Sequence, residues 1–255
     1  MRLILSNDDG FDAIGIQTLW QGLSAEHATW MVAPAGQQSA KSHAFTMHDS
    51  VRVVRRGNQA WAVEGTPVDC AYVALYKLVG MDVDWMVSGI NRGSNLGSDV
   101  LYSGTVAAAT EAVIHGVPSI AVSLCEGGSP AYAHYETALE VVKGCLSKLP
   151  GFAPTGGALC WNINVPNVPM PSLKGVRVAP LARREYAPKV KQVGGDDSDM
   201  RVMLGGDHVA FHGSGVADGP LLEEGYATIT PLNTDWTHRE VLSGMPSGLD
   251  LAGLG

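Results

Sequence analysis

The chain has 255 residues, 45% hydrophobic and 16% charged, with a formal net charge of −8. That length suits one large α/β domain whose core needs no crosslinks, and the negative balance excludes broad non-specific binding to nucleic acid, which requires a positive field. No apolar run approaches the roughly 18 residues of a membrane span. Met1-Arg2 leads into a strand rather than a signal peptide, and Cys70, Cys125, Cys145 and Cys160 form no CxxC pair. The expectation is a cytoplasmic protein with buried free thiols, and with neither nucleic acid nor membrane as partner.

The first strand, Arg2 to Ser6, stops at Asn7-Asp8-Asp9-Gly10. Two carboxylates at such a tip repel each other unless a positive group sits between them. A hard divalent cation is one answer and a plain Asx turn is the other. Ile16, Leu19, Trp20 and Leu23 then recur with helical spacing, and Thr29 to Ala33 reads as a second strand ended by Pro34. A polar loop follows from Ala35 to about His48. Residues 51–54 and 60–63 flank Gly57-Asn58 as a hairpin. Thr66-Pro67 opens a helix with Asp69 in its first turn and Val68, Ala71, Tyr72 and Leu75 on its buried face.

Trp85 to Ser88 reads as another buried strand, followed by a glycine-rich loop from Gly89 to Gly104 and a helix from about Thr105 to His115 that Gly116 stops. Ser119 to Ser123 is a strand, and about 132 to 149 is a helix with Ala138, Val141, Val142 and Cys145 inward. Strands alternating with helices predict a mostly parallel, Rossmann-like sheet covered on both faces. Beyond Leu149 the pattern changes. Leu159 to Val165 and Gly175 to Ala179 read as strands, and short extended pieces lie near 201–204, 208–211 and 227–230. The expected organisation is one domain over 1–255. Its core covers about 1–180, a β-rich oligomerisation extension about 181–242, and a poorly ordered tail 243–255.

Three segments follow strands and so emerge at the edge that carries Asp8 and Asp9. The first holds Ser39, Lys41 and His43, a hydroxyl and two bases that also suit an ordinary solvated loop. In the second, Asn91 and Asn95 stand among glycines that let a ligand approach the backbone. The third, Tyr102-Ser103-Gly104-Thr105, opens a helix whose free amides favour an anion. Acidic ligands and a phosphate cradle on one edge fit metal-assisted phosphate ester hydrolysis.

Five ordered motifs carry a family resemblance. They are Asn7-Asp8-Asp9-Gly10, the Ala33-Pro34…Ser39 loop, Gly65-Thr66-Pro67-Val68-Asp69-Cys70, Ser88-Gly89-Ile90-Asn91 with Gly93, Asn95, Leu96 and Gly97, and Tyr102-Ser103-Gly104-Thr105-Val106. Together they resemble the SurE family of stationary-phase survival proteins, and Ile229-Thr230-Pro231-Leu232 resembles a late motif of the same family. The resemblance implies a divalent-metal-dependent phosphomonoesterase acting on nucleoside 5′-monophosphates, with 3′-monophosphates a second substrate class. It implies Mg²⁺ or Mn²⁺ held by Asp8, Asp9, Ser39 and Asn91. Asn95, Ser103, Gly104 and Thr105 fall in its phosphate region, and a homodimer or homotetramer is implied. The chain departs from the family pattern at Ile14, Ala40 and Ser94, and matches loosely over 194–224. A metal-activated water is the expected nucleophile.

Two other readings compete with the hydrolase. A receiver-like signalling module also carries an acidic pair after its first strand, but needs an acceptor aspartate on its central strand, where this chain has Ser88-Gly89-Ile90-Asn91. A catalytically inactive nucleotide-binding homologue is the other. A dinucleotide oxidoreductase is excluded because no G-x-G-x-x-G follows the first strand.

Overall fold

Hydrophobic alternation in the first strand sets the layers of the molecule. In the computed structural model, which describes residues 1–125, 133–152 and 159–244, Leu3 and Leu5 enter one core and Ile4 enters another on the opposite face. That is the period of two expected of a strand buried on both sides. The elements in chain order are β1 (Arg2–Ser6), α1 (Ile14–Ser24), β2 (Ala28–Pro34), β3 (Val53–Gly57), β4 (Ala60–Val63), α2 (Pro67–Val73), β5 (Trp85–Arg92), α3 (Gly104–Ile114), β6 (Ser119–Cys125) and α4 (Tyr135–Lys148). They continue with β7 (Cys160–Pro166), β8 (Val176–Val178), β9 (Arg183–Gly195), β10 (Met200–His212), α5 (Asp218–Glu223), β11 (Ala227–Leu232) and α6 (Arg239–Gly244).

Nine strands form one sheet in the order β3-β4-β2-β1-β5-β6-β7-β11-β8. The six from β4 to β7 run parallel, while β3 and β11 are antiparallel to their neighbours β4 and β7. Helices α1 and α4 cover the Leu3 face and α2 and α3 the Ile4 face. The chain moves outward from β1 to β2 and β4, then returns through α2 to β5 on the other side of β1. The strand order therefore reverses between β1 and β5, and such a switch point opens a crevice at the carboxyl ends of the strands.

Local chemistry accounts for the helix starts. Thr66 and Asp69 form a reciprocal capping box on α2, with Pro67 in the first turn. Ser103 caps α3 by accepting from the Val106 amide at 3.1 Å. In α1, Ile16, Leu19 and Leu23 are fully buried, and Trp20 packs at the margin of the core.

Three expectations are corrected. Tyr72 is not on the buried face of α2; it is 39% exposed and its ring packs against Phe45 and Tyr76. The strand expected to stop at Ser88 runs on to Arg92, with a bulge between Ser88 and Asn91, and residues Gly97–Leu101 of the expected loop form a 3₁₀ turn. The pieces near 201–204 and 208–211 belong to one 13-residue strand, β10, paired with an unforeseen 13-residue strand, β9. Charged and proline residues hid β9, and its exposure on nearly every residue explains why no apolar alternation marks it. Most of the tail expected from 243 onward lies outside the described residues.

The β9–β10 ribbon is tied to the body at its base. Arg184 donates to Asp99 at 2.6 Å and to Ser94 at 3.0 Å, and the Tyr186 hydroxyl donates to Asp99 at 2.6 Å. Asp218, fully buried, accepts from the amides of Gly97, Ala182 and Gly219 at 2.8 to 2.9 Å. One carboxylate thus joins the loop after β5, the start of the ribbon and α5. Asp218→Ala is expected to cost about 3 kcal/mol, because the amides it serves lose a charged acceptor inside the protein. A urea titration checks this: the midpoint falls while the slope is unchanged.

Candidate active site

The switch point is where the acidic pair lies. Ser6 of β1 pairs directly with Ser88 of β5, so the residues that follow each strand leave the sheet side by side. Both serine hydroxyls are buried and bond to no protein group among the described residues. Asp8 is 4% exposed. Its carboxylate accepts from the Thr105 hydroxyl at the start of α3. Asp9 is half-buried and accepts from the Arg92 amide at 2.8 Å. The bulge in β5 places Arg92 there, and Gly89 permits it: its φ is +139°, and a Cβ would stand 2.3 Å from the Val122 carbonyl oxygen.

Gly104 determines how close α3 can come. A Cβ there would lie 2.9 Å from the Asp8 Cβ and 3.0 Å from Pro67 Cγ. Only a residue without a side chain lets the positive end of an 11-residue helix press against a buried carboxylate.

The electrostatics follow from this packing. Burial raises the Asp8 pKa from 3.8 to about 6; the Thr105 hydrogen bonds oppose the shift and the neighbouring Asp9 charge adds to it. Burial also raises Asp9, against the amide and charge of Arg92. Two adjacent carboxylates therefore remain under-compensated by the protein around them.

The loop from 35 to 48 crosses this edge and is stapled along its length. Gln38 donates its amide to the Asp8 carbonyl at 2.7 Å, and the next residue, Ser39, is exposed with its hydroxyl 3.0 Å from Gln37 Nε2. Ser42 bonds the carbonyls of Leu101 and Tyr102 at 2.6 and 3.1 Å. His43 meets Glu111 at 2.8 Å, and Thr46 gives its amide and hydroxyl to the buried Asp69 at 2.8 and 2.7 Å. Burial pushes the Glu111 carboxyl up, but the bonds from His43 and His115 prevail and hold it below the ordinary range. His43 is thus held by Glu111, and Lys41 is exposed.

Of the residues singled out by sequence, Asp8, Gly104 and Thr105 are in direct contact. Asp9 reaches the residue after Asn91, and Ser39 follows the residue bonded to Asp8. The Asn91 side chain spends its NH₂ group on the Gly93 carbonyl at 2.9 Å, which leaves its oxygen as the acceptor end. Ser103 serves as the helix cap. Asn95 is committed inward: its side-chain NH₂ donates to Ser123 Oγ and its backbone amide to Asn164 Oδ1, each at 2.8 Å, while its carbonyl accepts from the side-chain amides of Asn162 and Asn164. Asn162 and Asn164 escaped the sequence reading. Their signal was present in β7, where asparagines alternate with apolar residues in Cys160-Trp161-Asn162-Ile163-Asn164-Val165.

Among the described residues no group of three or more His, Cys, Asp or Glu side chains is placed to hold a metal. The donors on the edge are of another kind: two carboxylates, an amide oxygen and a hydroxyl, all hard oxygens. That set fits Mg²⁺ or Mn²⁺ rather than Zn²⁺.

A doubly wound α/β domain with an acidic strand tip at its switch point, facing a helix N-terminus, defines the class. The sequence model of the family described as "Survival protein SurE" matches residues 3–188. The chain belongs to the SurE family. It is 37% identical over 243 residues to the 5′-nucleotidase SurE of Gemmatimonas aurantiaca, covering 95% of this chain and 96% of that one. It is 39% identical over 253 residues to the 5′-nucleotidase SurE of Marinomonas sp., covering 98% of each. The crystal structure of the SurE protein from Aquifex aeolicus superposes with a TM-score of 0.83 at 28% identity, covering 96% of this chain and 98% of that one.

The raised Asp8 carboxyl has a measurable consequence. A carboxyl whose pKa rises on folding contributes its stability below its unfolded value of 3.8, and that contribution is lost as pH climbs through about 6. Asp8→Asn is therefore expected to stabilise the chelator-treated protein by about 1–3 kcal/mol at pH 8, with the gain disappearing near pH 4. Urea denaturation in EDTA at the two pH values checks it; equal stability of the two proteins at pH 8 would contradict the assignment of a buried, under-compensated charge.

Proposed function

We propose that this chain is a cytoplasmic, divalent-cation-dependent phosphomonoesterase that releases phosphate from nucleoside 5′-monophosphates, and from 3′-monophosphates as a second class. The observation that carries the reading is the buried Asp8 carboxylate pressed against the N-terminus of α3, with Asp9 beside it. The names of the relatives, 5′-nucleotidase SurE, supply the substrate class.

In this reading Asp8, Asp9, Ser39 and Asn91 hold one Mg²⁺ or Mn²⁺. When bound, the cation supplies a Lewis acid for a phosphoryl oxygen and lowers the pKa of a water. The other tasks fall to the chain. The Gly104 amide and the Ser103 hydroxyl at the start of α3, with Thr105 beside them, receive the phosphoryl group, because a helix N-terminus presents a positive dipole end to an anion. These donors oppose the charge that spreads over the equatorial oxygens in the transition state. Thr105 also orients Asp8 through its hydroxyl. Asn95 holds the turn after β5 against β6 and β7. The exposed β9–β10 ribbon, carrying Val190, Val202, Leu204 and Val209 at its surface, suits a homodimer or homotetramer, since an isolated two-stranded ribbon is marginal in water.

The test is phosphate release from 5′- and 3′-nucleotides and from sugar phosphates after chelation, with and without added Mg²⁺ or Mn²⁺. Release is expected from nucleoside monophosphates only with cation. Asp9→Asn is expected to lower kcat by about a thousandfold or more while the far-ultraviolet circular dichroism is unchanged. No release from any nucleotide under any cation would exclude the hydrolase and leave the inactive nucleotide-binding homologue. Thr105→Val removes the donor that holds Asp8 down, so the acid limb of the pH–rate profile should move upward by roughly half a unit to one unit. An unmoved limb with a lowered kcat would assign the hydroxyl to substrate alone.

A further inference from the structure

A cavity of about 750 Å³ lies along the outer face of α3. Val106 and Ala107 of α3 line it together with Leu232 and Trp236, from the end of β11 and the segment after it. Ser103 and His43 add polar groups to the lining. Ser103 precedes Gly104, the residue packed on Asp8, so the cavity begins where the proposed phosphate cradle ends. Ala107 lies four residues beyond Ser103, about 6 Å along the helix axis. That is the scale of the sugar that separates a nucleotide's phosphate from its base.

Trp236 is the unusual component. It is 84% exposed, although indole carries a large apolar face that proteins ordinarily cover. A base sandwiched between that ring and the aliphatic wall of α3 would cover both. The volume lies within the usual range for small-molecule sites, which combine apolar walls with a few polar groups at one end. Phosphate binds at polar helix amides and a base prefers to stack, so one ligand with both parts matches polar groups and an apolar trough.

We infer that this cavity binds the nucleoside moiety of the substrate, with Trp236 stacking on the base and Ala107 lining the same cavity. The inference rests on the proposed nucleotidase reading for its ligand class. It assigns the preference for nucleotides over other phosphate esters to the segment after β11, remote in sequence from the acidic motif.

Adenosine tests the cavity without any catalytic step, because it carries no phosphate. Isothermal titration of the full chain with adenosine should show saturable binding. Trp236→Ala should weaken it about tenfold or more, the loss of one base–aromatic stack. Trp236→Phe should restore most of it, and Ala107→Leu, which projects into the trough, should abolish it. In steady-state kinetics, KM for 5′-AMP in Trp236→Ala should rise about tenfold more than KM for p-nitrophenyl phosphate. Phosphate release from 5′-AMP with no adenosine binding, or with equal adenosine affinity in wild type, Trp236→Ala and Ala107→Leu, would overturn the inference and leave the hydrolase standing. Adenosine binding that both variants weaken, with no phosphate release under any cation, would support the cavity and remove the hydrolase.

Discussion

The buried carboxylate of Asp8 constrains everything around it. A charge removed from water needs compensation, and here the protein supplies one hydroxyl, one helix terminus and a second carboxylate of the same sign. The helix terminus is effective only because residue 104 is glycine, and the approach is held because Pro67 and Asp8 both pack against that position. The compensation is incomplete, and both aspartates sit above their ordinary pKa in consequence. Two acids left under-compensated follow from burying them at the point where a parallel sheet reverses its strand order. The stability given up there is the kind of local cost that functional sites carry.

Behind the edge lies a layer of polar and ionic contacts that keeps the loops in register. Asn95 is gripped by Asn162, Asn164 and Ser123 from the two strands beyond β5. Asp218 joins the same loop to the ribbon and to α5, and Arg184 ties the ribbon base to Asp99 and Ser94. On the other side, Asp69 and Glu111 hold the loop that carries Ser39. The loop from 35 to 48 and the loop after β5 are thus each fixed by buried acids or amides outside the edge. This is the support that positioned side chains require.

Family membership and this architecture leave no place for a receiver module. The central strand β5 ends in a glycine bulge that serves Asn91 and Arg92, not in an acceptor aspartate. The strands β11 and β8 and the long ribbon extend the chain far beyond a receiver's sheet.

Much was legible along the chain because its signals are local. Apolar runs and helical spacing marked the parallel core, Thr66-Pro67 and Ser103 marked helix starts through capping chemistry, and the acidic tip and Ser103-Gly104-Thr105 stood out by residue type. The ribbon was obscured because nearly every residue on it faces solvent, so no alternation of burial is written into it. Tyr72 was misplaced because aromatic packing with Phe45 and Tyr76 covers a surface face as well as a core does. The chain's own chemistry thus settled which residues carry charge, which cap helices and which strands are buried. Folding settled that Gly104 packs on Asp8 across nearly a hundred residues, that Asn162 and Asn164 serve Asn95, and that Trp236 lines one cavity with Val106 and Ala107. Those contacts arise from strand order and helix crossing, and distance along a chain carries no information about either.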